Sequence, residues 1–190
     1  MAELYNGQTM NTHPPNIAPY QGIYPQLGRG VYVHASAQVI GEVVLGDDVS
    51  VWPGVVIRGD VNSVSIGNGS NVQDLTVLHV SHRSADDPQG APLVVGKHVT
   101  IGHRVILHGC TIGDECLIGM GAIVMDKVVI QPQVLLGAGS LVPEGAVLES
   151  GYLYMGVPAR RVRALTEAEI ARFAYSANGY ISLKNNYLGK

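Results

Sequence analysis

Residues 95–119 read VGKHVTIGHRVILHGCTIGDECLIG, and the spacing of their aliphatic side chains decides the architecture. Val95, Ile101, Leu107, Ile112 and Ile118 recur every five or six residues, often with glycine directly after, as in Ile101-Gly102, Ile112-Gly113 and Ile118-Gly119. Outward from this stretch the series reaches back through Val33, Val39, Leu45, Val51, Ile57, Ile66, Val72 and Leu78. It runs forward through Val124, Ile130, Leu136 and Val142. A period of six excludes an amphipathic helix, whose apolar residues recur near 3.6. Short strands separated by tight turns satisfy it, with the aliphatic side chain pointing inward and glycine relieving backbone strain at the turn. Hexapeptide periodicity is a known signature of β-helices.

The run resembles the left-handed parallel β-helix family, in which three hexapeptides make one triangular coil. The expected class is all-β: a left-handed parallel β-helix of hexapeptide repeats with a C-terminal α-helix packed on it. The resemblance implies about eighteen residues per coil, with coils stacked at the ~4.8 Å inter-strand distance. Three interruptions stand out. Residues are inserted around Val61–Ser65, a polar loop (SHRSADDPQGAP) is inserted at roughly Ser81–Pro92, and one residue is missing between Leu107 and Ile112. Polar insertions of this kind often carry function.

Residues 1–17 read as a flexible N-terminal arm, 18–150 as the β-helix, and 151–190 as an exit segment and C-terminal helix. Thr166 and Glu169 form a capping box that opens a helix from Glu167 to about Tyr187. Ile170, Phe173, Ala174 and Ala177 mark its packed face, and Gly179 is a candidate break.

Charged residues make up only 14% of the 190, and 12 Lys and Arg against 15 Asp and Glu give a net charge of −3. Low charge and few aromatics suit a narrow prism filled with aliphatic side chains. A mildly acidic chain argues against nucleic acid as a partner. No apolar run approaches the ~18 residues of a membrane span, so no membrane is expected. Cys110 and Cys116 make no disulfide framework and read as reduced core thiols, which fits a cytoplasmic protein.

The register sorts the seven histidines. Leu78 and Leu107 are three repeats apart, so they share a face in adjacent coils, and His79 and His108 follow them directly. The two imidazoles should stack one strand spacing apart, close enough to share a metal. Arg58 follows Ile57 and joins the same column. His103 comes two residues after Ile101, on another side of the triangle, with Asp74 in its column. In one chain His103 cannot reach the His79–His108 pair, whereas across a three-fold interface it can, and Arg58 would then face the neighbour's Asp74. The register thus predicts a homotrimer with one three-histidine site per interface. His13, His34 and His98 read as surface residues.

At Arg58-Gly59-Asp60, at Gln73 and Asp74 with His79, and at His103 with His108-Gly109-Cys110, the chain resembles the γ-class carbonic anhydrase family. Its tail, Leu148 to Tyr154 and Tyr175 to Asn178 with Tyr180, is similar to the short bacterial YrdA type. The resemblance covers about residues 19–188. It implies His79, His103 and His108 as metal ligands, with His103 from the adjacent subunit. It assigns Gln73 to hydrogen-bonding the metal-bound water, and Arg58, Asp60 and Asp74 to supporting the interface and the site. Tyr180 would offer a hydroxyl near bound bicarbonate. The implied activity is reversible hydration of CO2 to bicarbonate by a metal-bound hydroxide. Zinc is the default ion, and imidazoles also accept Fe2+ or Co2+. Val61 or Val80 would hold CO2.

Efficient archaeal-type members carry an acidic residue after the motif aspartate and a glutamate on a loop that exports protons. Here Val61 follows Asp60, and the inserted loop has no glutamate. His82, an imidazole on that loop, is the candidate proton shuttle in their place, and weak or conditional activity is expected. Two other functions fit the repeat. One is a non-catalytic trimeric assembly or binding module knitted together by metal. The other is a hexapeptide-repeat acyl-CoA transferase, which needs a histidine free of metal.

Overall fold

Two- and three-residue strands recur along the chain because each hexapeptide turns one aliphatic side chain inward before the next corner. The computed structural model describes residues 14–190. It contains twenty strands followed by one helix, α1, at Glu167–Tyr187. His13 and the rest of residues 1–13, most of the arm expected over 1–17, lie outside the described residues.

The strands stack in parallel along three walls. Val39, Ile57, Leu78, Leu107, Val124 and Val142 are successive partners in the first wall. Leu45, Ile66, Val95, Ile112, Ile130 and Leu148 are partners in the second. Val33, Val51, Val72, Ile101, Ile118, Leu136 and Tyr154 are partners in the third. The fold is a parallel β-helix of hexapeptide repeats. The first two walls form one sheet, because strands Gln38–Leu45 and Val56–Ile66 round the corner between them without a break.

Every aliphatic position named in the repeat is buried except Val33, which is half-buried. A second inward series lies two residues earlier, where strand alternation returns a side chain to the same face. It includes Ala37, Val43, Val49, Val55, Val99, Val105, Cys110, Cys116, Ala122, Val128 and Val134, all buried. Both cysteines are therefore core residues, and both are free. Burial pushes the Cys116 thiol up to about 12 and the Cys110 thiol further, so neither is a reactive thiolate.

The glycines that follow inward residues do a different job from the one expected. A Cβ on Gly119 would lie 2.5 Å from the Ala138 nitrogen of the next coil, so glycine is needed for close stacking. The left-handed corner residues sit three places after the inward one, among them Asp48, Leu75, His98, Arg104, Glu115, Lys127 and Gln133, with glycine in that place at Gly54, Gly69, Gly121 and Gly139.

The three interruptions follow Ile57, Leu78 and Leu107, consecutive members of the first wall, so all fall at one corner. Gly41 pairs with Gly59 but Val43 with Val64, which places the three extra residues between positions 59 and 64. The longer loop is closed by an antiparallel bridge between Ser81 and Ala91. The missing residue is absorbed at Gly109, whose φ is 52°.

The prism also extends beyond the expected ends. Residues 14–17 were expected in the arm, yet Ile17 is buried and pairs with Val39. The Asn16 amide donates to the carbonyls of His34 and Ala37 at 3.2 and 3.0 Å. A single aliphatic residue outside the six-residue period gave no signal there. Downstream, Leu148 and Tyr154 keep the period, with an aromatic ring in the aliphatic place. Strand Tyr152–Gly156 then pairs antiparallel with Ala159–Ala164.

Helix α1 runs unbroken through Gly179 and lies against the third wall. Its buried side chains are Phe173, Ala177 and Lys184, whereas Ala174 is exposed and Ile170 half-buried, so the packed stripe is rotated from the expected one. Burying Phe173 contributes about 1.5–3 kcal/mol. Fully buried Lys184 donates to Asp48 at 2.8 Å, and Tyr187 and Tyr180 stack edge-on against Trp52.

At the start of α1, Glu169 accepts from the Thr166 backbone at 2.9 Å and from the two terminal guanidinium nitrogens of Arg163 at 2.8 Å. These bonds, Arg163 first, hold the Glu169 carboxyl down at about 2 instead of 4.5. A carboxyl depressed on folding stabilises fully above its unfolded pKa and loses that contribution as pH falls through the folded value. Glu169→Gln should therefore melt below wild type at pH 6, with the gap closing between pH 4.5 and 2 in circular-dichroism melts. A gap independent of pH would contradict this.

Candidate metal centre

The corner where the repeat is irregular carries two histidines in register. His79 and His108 are direct partners in adjacent strands of the first wall. His79 Nδ1 and His108 Nε2 lie 3.1 Å apart, with ring centroids at 5.1 Å. Two nitrogens bound tetrahedrally at 2.0–2.1 Å to one zinc lie about 3.3 Å apart, so this spacing suits a shared ion.

Each of these imidazoles is held from its other nitrogen. Asp60 Oδ1 lies 3.1 Å from His79 Nε2, and Asp60 also pairs with Arg58, two residues before it on the same strand. Asp126 Oδ1 lies 2.5 Å from His108 Nδ1, and its Oδ2 accepts the Ser81 hydroxyl at 2.7 Å. Burial, together with nearby Arg58 and His108, outweighs Asp60 and pushes the His79 pKa down, so the ring is neutral at pH 7 and able to donate a lone pair. Burial works against ionisation of Asp60 too, but hydrogen bonds from Arg58 and His79 hold its carboxyl below the usual range.

His103 occupies the corner between the third and first walls. It stacks over Asp74, as the pairing of Ile101 with Val72 requires, and its Nδ1 lies 2.9 Å from Asp74 Oδ2. All three histidines thus have one nitrogen against a carboxylate and the other outside that contact, the arrangement by which outer groups orient metal-binding imidazoles. Between the two corners runs the outer face of the first wall, with exposed Val77, Ile106 and Ile123. Among the described residues of one chain, no three His, Cys, Asp or Glu side chains are placed to hold a metal.

Gln73 and Tyr180 lie on the third-wall side with His103. Both line a cleft of about 380 Å³ between α1 and the prism, together with Thr100, Ser176 and Met120. Gln73 is buried, and its amide nitrogen donates to Asn71 at 3.1 Å, while the Asn71 amide donates to Thr100 at 3.1 Å. Burial first, and then Asp74, raise the Tyr180 phenol above its ordinary pKa, so it stays a neutral donor. Arg58 has its in-chain partner in Asp60, and Asp74 has its own in His103.

Other expectations separate from the site. Val80 is buried in the core and does not face an opening, because it continues the inward alternation from Leu78. Val61 is 40% exposed beside Asp60. His82 lies exposed on the inserted loop. Asp87 pairs with Lys127 at 2.6 Å, which keeps its carboxyl acidic.

Sequence reasoning missed Asp126, Ser81 and Asn62. Asn62 donates to the carbonyls of Ser81 and Gln89 at 3.0 and 2.8 Å, fastening both ends of the loop. Asp126 was within reach of the register, since Val124 is the wall partner of Leu107 and Asp126 turns the next corner beneath His108.

Comparison with known proteins adds independent findings. The family model described as "Bacterial transferase hexapeptide (six repeats)" matches residues 24–59. The chain is 51% identical over 172 residues to "Protein YrdA" of Escherichia coli (strain K12), covering 90% of this chain and 94% of that one. It is 38% identical over 171 residues to "Carbonic anhydrase" of Geobacillus kaustophilus (strain HTA426), covering 90% of each. A solved hexapeptide transferase family protein from Anaplasma phagocytophilum superposes with a TM-score of 0.84 at 41% identity, covering 90% of this chain and 97% of that one. Among the described residues, no helix is long and apolar enough to cross a membrane.

Proposed function

The chain belongs to the γ-class carbonic anhydrase family, and from that premise we propose that it hydrates CO2 reversibly to bicarbonate at metal sites shared between subunits of a homotrimer. The observation that carries this reading is the set of three imidazoles, each braced by its own carboxylate: Asp60 on His79, Asp126 on His108 and Asp74 on His103. Two of them already have nitrogens at a spacing suited to one ion. A third ligand from the same chain is lacking among the described residues, and a neighbour's His103 would complete the set.

His79, His108 and a neighbouring His103 would hold zinc, or Fe2+ or Co2+, through neutral nitrogens. When bound, such an ion would lower the pKa of its water to about 7, making it reactive toward CO2 at neutral pH. Donation from Gln73 to Asn71 fixes its amide and leaves Oε1 to accept a hydrogen bond from the reacting water. Tyr180, neutral and in the same cleft, would donate to a bicarbonate oxygen. Val61 offers an apolar surface for CO2 beside Asp60. Each turnover releases a proton, and His82, exposed on the inserted loop, would carry it, whereas Asp87 on that loop is engaged by Lys127. Slow turnover follows.

Stopped-flow CO2 hydration by zinc-loaded protein, alongside His79→Ala, tests the proposal. Hydration above the buffer rate, lost in His79→Ala, is expected, with about one metal per chain. The missing glutamate favours one other reading, a metal-knitted assembly without catalysis. Stoichiometric metal in a trimer with wild type and His79→Ala equally inert would establish that reading instead.

A further inference from the structure

Asp126 lies outside every motif that carries the family resemblance, yet it makes the shortest of the three carboxylate–imidazole contacts, 2.5 Å to His108 Nδ1. The local backbone is built around it. Gly109, directly after His108, has no side chain, and a Cβ there would sit 2.3 Å from Asp126 Oδ1. The second carboxylate oxygen accepts the Ser81 hydroxyl at 2.7 Å, where Ser81 closes the inserted loop against Ala91. On the adjoining residue, Lys127 pairs with Asp87 in that same loop. The loop and the histidine are thus fastened to the same corner through one carboxylate.

We propose that Asp126 is the positioning residue of His108: it holds the ring with its proton on Nδ1 and Nε2 turned toward His79, and through Ser81 it ties the inserted loop to that orientation. The inference rests on the metal-site reading above. A carboxylate beside Nδ1 favours the tautomer that has a hydrogen there, which leaves the Nε2 lone pair to the ion. Without the carboxylate, the ring is free to place its proton on Nε2 and to turn away. Outer partners of this kind typically change metal affinity about 10–100-fold.

The test uses the full-length protein with zinc as the probe. Zinc affinity is measured by competition with a chromophoric chelator, and the His108 tautomer is read in metal-free protein from imidazole 15N shifts. Asp126→Leu should weaken zinc binding about 10–100-fold and shift His108 toward the Nε2–H form. Asp126→Asn, whose amide oxygen still accepts from Nδ1, should keep the Nδ1–H form and recover much of the affinity. If Asp126→Leu does not fold, Ser81→Ala serves in its place: zinc affinity should fall, and amide exchange over residues 82–90 should quicken. Wild-type affinity and an unchanged tautomer in Asp126→Leu would overturn the proposal, as would unchanged affinity and exchange in Ser81→Ala. Wild-type protein that binds no zinc at all would instead sink the parent reading, and the tautomer measurement would still decide the role of Asp126 toward His108.

Discussion

Co-assembling two inactive variants, His79→Ala and His103→Ala, should restore about a quarter of wild-type CO2 hydration, because a cyclic trimer gives each chain one neighbour on each side. The two lesions sit at different corners of the prism. His79 and His108 share the corner after the first wall, and His103 occupies the corner after the third. In a mixed trimer, a His103→Ala chain still presents His79 and His108, and a His79→Ala chain beside it still presents His103. Random mixing at equal amounts makes about one interface in four intact. The control is a mixture of His79→Ala with His108→Ala. Those lesions share a corner, no interface can be whole, and activity should stay at the buffer rate. Stoichiometric zinc should follow the same pattern as activity. A site assembled within one chain predicts no recovery in either mixture, so a silent first mixture would refute the shared site.

How much of this was legible beforehand depends on how local each signal is. The inward series from Val39 to Val142 shows in the sequence because a coil repeats its own geometry, and the wall partners are those that the register gives. The stacking of His79 with His108, and of His103 with Asp74, follows from the same arithmetic. Asp126 is equally periodic but carries no motif, and Ser81 meets it, as Asn62 meets Ser81, only through the folded loop, which period cannot describe. The role of the glycine directly after an inward residue was misjudged for a related reason. A turn's backbone strain is a property of one residue, whereas the approach of Ala138 to Gly119 belongs to two coils. Ile17 and Tyr154 escaped because one stands off the period and the other is aromatic. The packed face of α1 was hidden too, since Lys184 reads as a surface residue until its partner Asp48, far off in the chain, is known.

Neighbouring residues on one strand give the sharpest separation of fold from assembly. Leu107 is fully buried between Leu78 and Val124, whereas Ile106, next to it, is 41% exposed and lines a cleft with His103, Met120 and Ile123. Leu107→Ala empties part of a core with no slack, and the expected loss is about 2–5 kcal/mol. For a chain of this length that lowers the melting midpoint by roughly 4–20 °C. The loss should not depend on protein concentration, and the subunits should still associate below the transition. Ile106→Asp acts on the other side of the sheet. On a free surface such a change shifts stability by no more than about 0.5 kcal/mol. On a face that meets another copy, it buries a carboxylate without a partner, a penalty of several kcal/mol that is relieved by dissociation. Sedimentation should therefore find Ile106→Asp as monomer with an unchanged strand signal in circular dichroism, and with zinc binding weakened because each His79–His108 pair has lost its third ligand. A trimeric Ile106→Asp with full metal content would move the interface off the first wall, and would leave the His103 corner in need of another route to the His79–His108 pair.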